Sequence, residues 1–171
     1  MVRASVALHN PIYIRMFRDN TPVFTKADDE FQFGKADTLL DGKDVTIIAC
    51  GLQVWEAICA EEVLATEGIS VRLINMHTIK PLDKDAIVKA ASETGAIVTA
   101  EDHQIQGGLG SAVSEVLAQT IPTPQEFVAF DLLPDFQGQR QVQVFRRAAQ
   151  AVDARHRSDD QHVRTRQQRL G

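Results

Sequence analysis

The side chains able to do chemistry gather in one stretch, Glu101-Asp102-His103-Gln104-Ile105-Gln106-Gly107-Gly108, directly after the apolar run Ile97-Val98-Thr99-Ala100. Two carboxylates beside an imidazole permit general acid–base work, because a carboxylate orients the ring and raises its pKa. The glycines open a second chemistry. Gly107-Gly108-Leu109-Gly110 leads into helix-patterned sequence, where free backbone N–H groups attract an anion such as phosphate. As a dinucleotide fingerprint the match is poor: the strand-to-glycine gap is long, Val113 stands at the third glycine position, and acids flank the site. A third reading is structural or interfacial, since glycines let backbones approach closely and charged residues can meet a neighbouring chain. With no Ser or Cys in a nucleophile elbow, most weight falls on this third reading.

Other candidates are sparse. Cys50 and Cys59 lie nine apart, which is neither a CxxC redox pair nor zinc spacing, and apolar neighbours mark them as buried structural thiols. His9 and His77 are isolated and read as surface or packed residues. No set of His, Cys and carboxylates has metal-ligand spacing, so no metal site is expected.

The elements that must position these residues follow a regular cycle. Val2 to His9 is helix-permissive but lacks a starting cap, as at the end of a longer helix. Pro11-Ile-Tyr-Ile-Arg15 alternates and is a strand candidate, followed by turn chemistry at Arg18-Asp-Asn-Thr-Pro22. Lys35 to Leu40 predicts a short strand, and Asp41-Gly42 predicts a hairpin that adds it antiparallel at an edge. Val45 to Ala49, Val71 to Ile74, Ile97 to Ala100 and Phe127 to Phe130 predict further strands, the apolar ones buried on both faces. Helices are predicted over Val54 to Glu67, Lys84 to Glu93 with Asp83 as N-cap, and Leu109 to Gln119, with Gly68 and Gly95 as stops. Strand–helix alternation implies an α/β fold of three α/β/α layers, a mostly parallel doubly wound sheet of about five strands with one antiparallel edge strand. In such sheets the functional loops follow the carboxyl ends of the strands. Here those loops are Cys50-Gly-Leu-Gln53, Asn75-Met-His-Thr-Ile-Lys80 and the stretch from Glu101.

Composition bounds the rest. At 171 residues, 44% hydrophobic and 24% charged, the chain is of globular type, with one domain expected. No run approaches the length of a membrane helix and no signal segment opens the chain, so a cytoplasmic protein without a membrane role is expected. The net charge of −5 is divided unevenly. Residues 1–136 carry ten Lys+Arg against twenty Asp+Glu, whereas residues 137–171 carry eight Arg against three Asp. An acidic body argues against nucleic acid as a partner.

Several blocks, in order, resemble the transketolase family. Pro11-Ile-Tyr-Ile-Arg-Met-Phe-Arg18 with Asp-Asn-Thr-Pro22 is similar to the end of its pyrimidine-binding domain. Gly34-Lys-Ala and Asp41-Gly-Lys-Asp-Val-Thr-Ile-Ile-Ala-Cys-Gly51 resemble the start of its C-terminal domain. Asn75-Met-His-Thr-Ile-Lys-Pro-Leu-Asp83 and Ala100-Glu-Asp-His-Gln-Ile-Gln-Gly-Gly-Leu-Gly-Ser-Ala112 resemble that domain's two best-marked loops. The resemblance implies a division into residues 1–30, the end of a preceding domain with its linker; residues 31–136, the C-terminal α/β domain; and residues 137–171, a divergent tail. It also implies ketol transfer between sugar phosphates by a homo- or hetero-oligomer, with an N-terminal subunit or further N-terminal domains as partner. Thiamine diphosphate and Mg would serve the complete enzyme. Neither is expected on this chain alone, which by this resemblance has no catalytic residue of its own and is inactive when isolated. Arg18 matches the family's substrate-phosphate arginine, a role suited to a guanidinium. Glu101, Asp102, His103, Gly107 and Gly108 match a structural or interface loop. The related C-terminal domains of 1-deoxyxylulose-5-phosphate synthase and of the 2-oxoacid dehydrogenase β chain, or a non-catalytic binding or regulatory module, are the alternatives.

The tail departs from this pattern. From Gln137 there are eight Gln and eight Arg but no Lys or Glu. A solvated basic helix near Val144 to Val152, a segment docking on acidic surface, and a shifted reading frame near Gln141-Val-Gln-Val144 are three readings of it.

Overall fold

The structure, a computed structural model, describes residues 1–17, 20–26 and 28–129. Five strands form one sheet: β1 (Asp37–Leu40), β2 (Val45–Ala49), β3 (Val71–Asn75), β4 (Ile97–Glu101) and β5 (Gln125–Ala129), in the order β1-β3-β2-β4-β5. Pairs β2–β3, β2–β4 and β4–β5 are parallel, and β1 lies antiparallel along β3. Four helices stand among the described residues: α1 (Val2–Ser5), α2 (Gln53–Thr66), α3 (Lys84–Thr94) and α4 (Leu109–Gln119). The expected fold class is therefore what the chain adopts. The regularity of its sequence has one direct cause: β2, β3 and β4 are buried at every position, so apolar residues predominate in them, with Arg72, Asn75 and Glu101 as the large polar exceptions.

Successive strand residues face opposite layers. Ile47, Leu73, Val98 and Val128 pack with Val54, Ala57, Ala60 and Leu64 of α2. Ile48, Ile74 and Ile97 pack with Ile87, Ala90 and Ala91 of α3 and Val113, Val116 and Leu117 of α4. One helix thus covers one face and two cover the other, giving three layers. Full burial of a Leu or Ile side chain contributes about 1.5–3 kcal/mol, and Ile47, Ile48, Leu64, Leu73, Ile87 and Ile97 are all completely buried.

The helix ends follow local chemistry. After α2, the Gly68 N–H donates to the Ala65 carbonyl and the Ile69 N–H to that of Leu64, while Leu64 and Ile69 share the same core. Gly68 has φ +78, the left-handed turn such a double closure requires. Asp83 caps α3 by accepting from the Ala86 N–H at 3.3 Å. Its other oxygen accepts from the Ala36 N–H at 3.1 Å, tying the segment before β1 to the start of α3.

Two expectations are corrected. Asp41-Gly42 does not turn a β1–β2 hairpin, because β1 pairs with β3 and β2 lies beyond it. The connection instead crosses the start of β3, where the Asp44 N–H donates to the Ser70 carbonyl and the Ser70 N–H to the Asp44 carboxylate. Gly42 is needed there, since a Cβ would lie 2.1 Å from the Val71 carbonyl carbon. Residues 11–15 form no strand: they have no ladder partner among the described residues, and Tyr13 is 89% exposed. Residues 137–171, including the helix expected over 144–152, lie outside the described residues, as does Phe130.

Candidate functional site

The chain leaves β2 for β3 on one side and later reaches β4 on the other, so the sheet's switch point lies between β2 and β4. Ligand crevices in open α/β sheets form outside the carboxyl ends of the strands at such a point. Cys50, Gly51 and the loop from Glu101 stand there, as their positions in the sequence foretell.

The loop's two carboxylates part company. Glu101, 4% exposed, turns inward and accepts the Leu109 N–H at 2.7 Å on Oε2 and the Gly110 N–H at 2.8 Å on Oε1. It occupies the N-terminus of α4, where the helix dipole and unpaired N–H groups favour negative charge. The anion reading is thereby overturned: the place a phosphate would take holds an internal carboxylate. Gly108 is required by this arrangement, because a Cβ there would lie 2.0 Å from Glu101 Oε2. Gly110 is as constrained, with a Cβ 2.5 Å from the Phe127 ring. Gly107 contributes a left-handed turn (φ +78) and donates its N–H to Ser111 Oγ at 3.0 Å, while Ser111 Oγ–H donates to the Ile105 carbonyl.

Asp102 faces the other way, its Oδ2 3.9 Å from Arg15 Nη2. His103 is exposed, and its Nδ1 lies 3.1 Å from the Gln104 carbonyl oxygen rather than beside either carboxylate. Sequence neighbours are thus not spatial partners, and no assembled acid–base pair exists at this loop. Arg18 lies outside the described residues.

Around the loop, Cys50 is partly covered; burial above all, then the Glu101 and Asp102 carboxylates, push its thiol up to about 12 against a downward pull from Arg15. Such a thiol is inert at neutral pH. Cys59 is also partly rather than fully buried, since it lies beside the apolar face of α2 rather than on it. Gln53, first residue of α2, is fully buried with neither amide atom hydrogen-bonded; its polarity gives no sequence signal of burial. His77 packs its ring on Phe31 with centroids 4.5 Å apart. Its Nε2 is 3.5 Å from Asp37 Oδ2, near enough for charge but not aligned as a hydrogen bond. Burial lowers its pKa, and the Asp37 carboxylate only partly opposes this. Among the described residues, no three His, Cys, Asp or Glu side chains cluster as metal ligands.

This fold has a counterpart in known proteins. Residues 34–145 match the model of the family described as transketolase, C-terminal domain. The chain belongs to that family. It is 45% identical over 119 residues to a 6-deoxy-6-sulfo-D-fructose transketolase subunit of a Clostridium species, covering 70% of this chain and 37% of the relative. An apulose-4-phosphate transketolase subunit of Phocaeicola vulgatus is 44% identical over 136 residues, covering 79% of this chain and 42% of the relative. A solved chain of a split-gene transketolase, described as an inactive beta4 tetramer, superposes with a TM-score of 0.74 at 37% identity, covering 92% of this chain and 52% of that one. The chain thus spans about two fifths of these curated relatives' length and about half of the solved chain. Arg15, which precedes the matched residues, is the residue that sequence reasoning passes over. Its alternating surroundings suggest a strand, and only the fold brings it to Asp102.

Proposed function

We propose that this chain provides the C-terminal domain of a transketolase, which transfers a two-carbon ketol unit once a partner subunit or further domains supply the rest of the enzyme. The observation that carries the reading is the family match over residues 34–145 in a chain spanning only about two fifths of relatives that are themselves named as subunits. The family's thiamine diphosphate would supply the carbanion chemistry, but the described residues do not fit it. They offer no metal-ligand cluster, and the α4 N-terminus that could hold a diphosphate is filled by Glu101. On this reading the cofactor and its Mg are held by the partner subunit or the further domains, and no step of the reaction is assigned to this domain's side chains.

Residues 1–30 are read as the end of the preceding domain with its linker, and Arg18 as a contact for the substrate's anionic end. The names of two relatives support this role, for one specifies a sulfo sugar and the other a sugar phosphate, and a guanidinium recognises either group. Glu101, Gly107 and Gly108 hold the loop's shape, and Asp102 and His103 lie on its outer side as candidates for the interface.

The test is ketol transfer from a ketose phosphate to an aldose phosphate with thiamine diphosphate and Mg, using this chain, its partner subunit and their mixture. Activity is expected in the mixture alone. There, Arg18→Ala should raise KM for the phosphorylated substrate by at least about tenfold, the loss of a charged hydrogen bond. An unchanged KM would remove Arg18 from the site.

A further inference from the structure

We propose that the loop after β3, residues 76–83, is a clamp on residues 31–36, the stretch that joins residues 1–30 to β1, and that protonation of His77 opens the clamp's outer end. This role lies beyond the transketolase reading, which leaves the loop without one, and it stands or falls separately.

Three contacts make the clamp. At its outer end the Phe31 and His77 rings pack with centroids 4.5 Å apart. In the middle Gly34 lies against Pro81, where a Cβ would stand 3.0 Å from the Pro81 ring. At its inner end the Ala36 N–H donates to Asp83 Oδ2 at 3.1 Å, and Ala36 packs on the core shared with α3 and α4. β1 follows at once and pairs with β3, so the inner end is part of the sheet's frame. Phe31, by contrast, is half-buried between exposed neighbours, residues 28–30 and 32–33.

The neutral imidazole suits this closed arrangement better than the charged one. The His77 side chain is 13% exposed. Its Nδ1 lies 2.8 Å from Thr78 Oγ1, but its Nε2 is buried without a hydrogen-bond partner. An imidazolium donates from both nitrogens, so protonation would bury a charged N–H that lacks an aligned acceptor. The charged groups acting on the ring are Asp37 of β1, 3.5 Å away and not aligned, and the Met1 amino group before α1. Burial is the stronger influence, Asp37 opposes it and the amino group adds to it, which leaves the pKa below its ordinary 6.5. By linkage, the contribution of His77 to the closed clamp is full above 6.5 and is lost as pH falls through the lowered value. The Asp83 end holds throughout this range, because its carboxyl titrates below 3.8. Acid therefore releases Phe31 while leaving the sheet and α3 in place.

NMR of the full chain from about pH 7.5 to about pH 5.5, the range in which histidine titrates, tests the clamp without any activity. The His77 ring should titrate with a midpoint below 6.5. Over the same transition the Phe31–His77 cross-relaxation should fall by at least about twofold. The Lys35 N–H, which donates to the Gln32 carbonyl at 3.1 Å within the clamped stretch, should lose protection in parallel once the intrinsic pH dependence of exchange is removed. His77→Phe keeps a ring against Phe31 but takes no proton, so its Lys35 protection should stay constant across the range. Asp37→Asn removes the opposing charge and should move the transition to lower pH. A midpoint at or above 6.5 would mean that Asp37 closes on the imidazolium and acid tightens the clamp, which overturns the proposal. A Phe31–His77 contact that persists unchanged through the titration overturns it as well, as does a fall in Lys35 protection that survives in His77→Phe.

Discussion

Glu101 shows how a residue type can be legible while its use is not. A carboxylate between an apolar strand and a glycine-led helix advertises chemistry, yet its oxygens are committed to the Leu109 and Gly110 N–H groups in a buried setting. Nothing in the spacing of Glu101, Asp102 and His103 tells which of them turns inward; the close approach of Gly108 and Gly110 decides it. Glu101→Ala strips two charge-assisted hydrogen bonds and leaves two helix donors in a buried place. It should cost about 2–3 kcal/mol in urea unfolding, and Glu101→Gln somewhat less. His103 gives the opposite expectation. Exposed and bonded only locally, it should tolerate His103→Ala within about 0.5 kcal/mol. Turnover of the assembled enzyme should also hold within about twofold, against the hundredfold or greater loss expected of a general base. A hundredfold fall in kcat would restore the acid–base reading.

Among the elements, the regular core is readable because its central strands are mostly apolar and its helices carry their own signals, the stops Gly68 and Gly95 and the N-cap Asp83. The edge is not. A short strand followed by Asp-Gly fits a hairpin locally, but the choice between β2 and β3 as its neighbour is made by packing far along the chain. Residues 11–15 likewise alternate without finding a ladder. The cap at Asp83 is a quantitative test of the element scale, because one carboxylate joins α3 to the segment before β1. Burial raises its pKa, but the Ala36 and Ala86 N–H groups and Lys35 outweigh this and hold the carboxyl below its ordinary 3.8. The unfolded chain therefore takes up this proton first as pH falls. The contribution is present in full above the ordinary value and is lost as pH drops through the lowered folded value. Asp83→Asn should destabilise the protein by about 1 kcal/mol at pH 7 and remove part of the stability loss seen below about pH 4. An identical acid dependence in Asp83→Asn would mean that this carboxyl titrates alike in the folded and unfolded chains.

At the scale of the whole molecule, two parts of the described chain contrast. Residues 34–129 bury a two-sided core, whereas residues 1–33 expose Tyr13, Met16, Val23 and part of Phe17 and Phe33. Exposed apolar side chains of this kind suit contact with a neighbouring domain or subunit. No helix among the described residues is long and apolar enough to cross a membrane. The family is legible in the sequence because its loop motifs keep their order across the fold, even where no single motif decides. The approach of Arg15 to Asp102 is not, since it depends on which loop the segment crosses. The central claim is tested most directly by measuring ketol transfer, with thiamine diphosphate and Mg present, for this chain, for its partner subunit and for the two combined. Activity in the mixture alone, together with a stable complex, is the predicted result. Transfer by this chain alone, or no transfer and no complex on mixing, would contradict it.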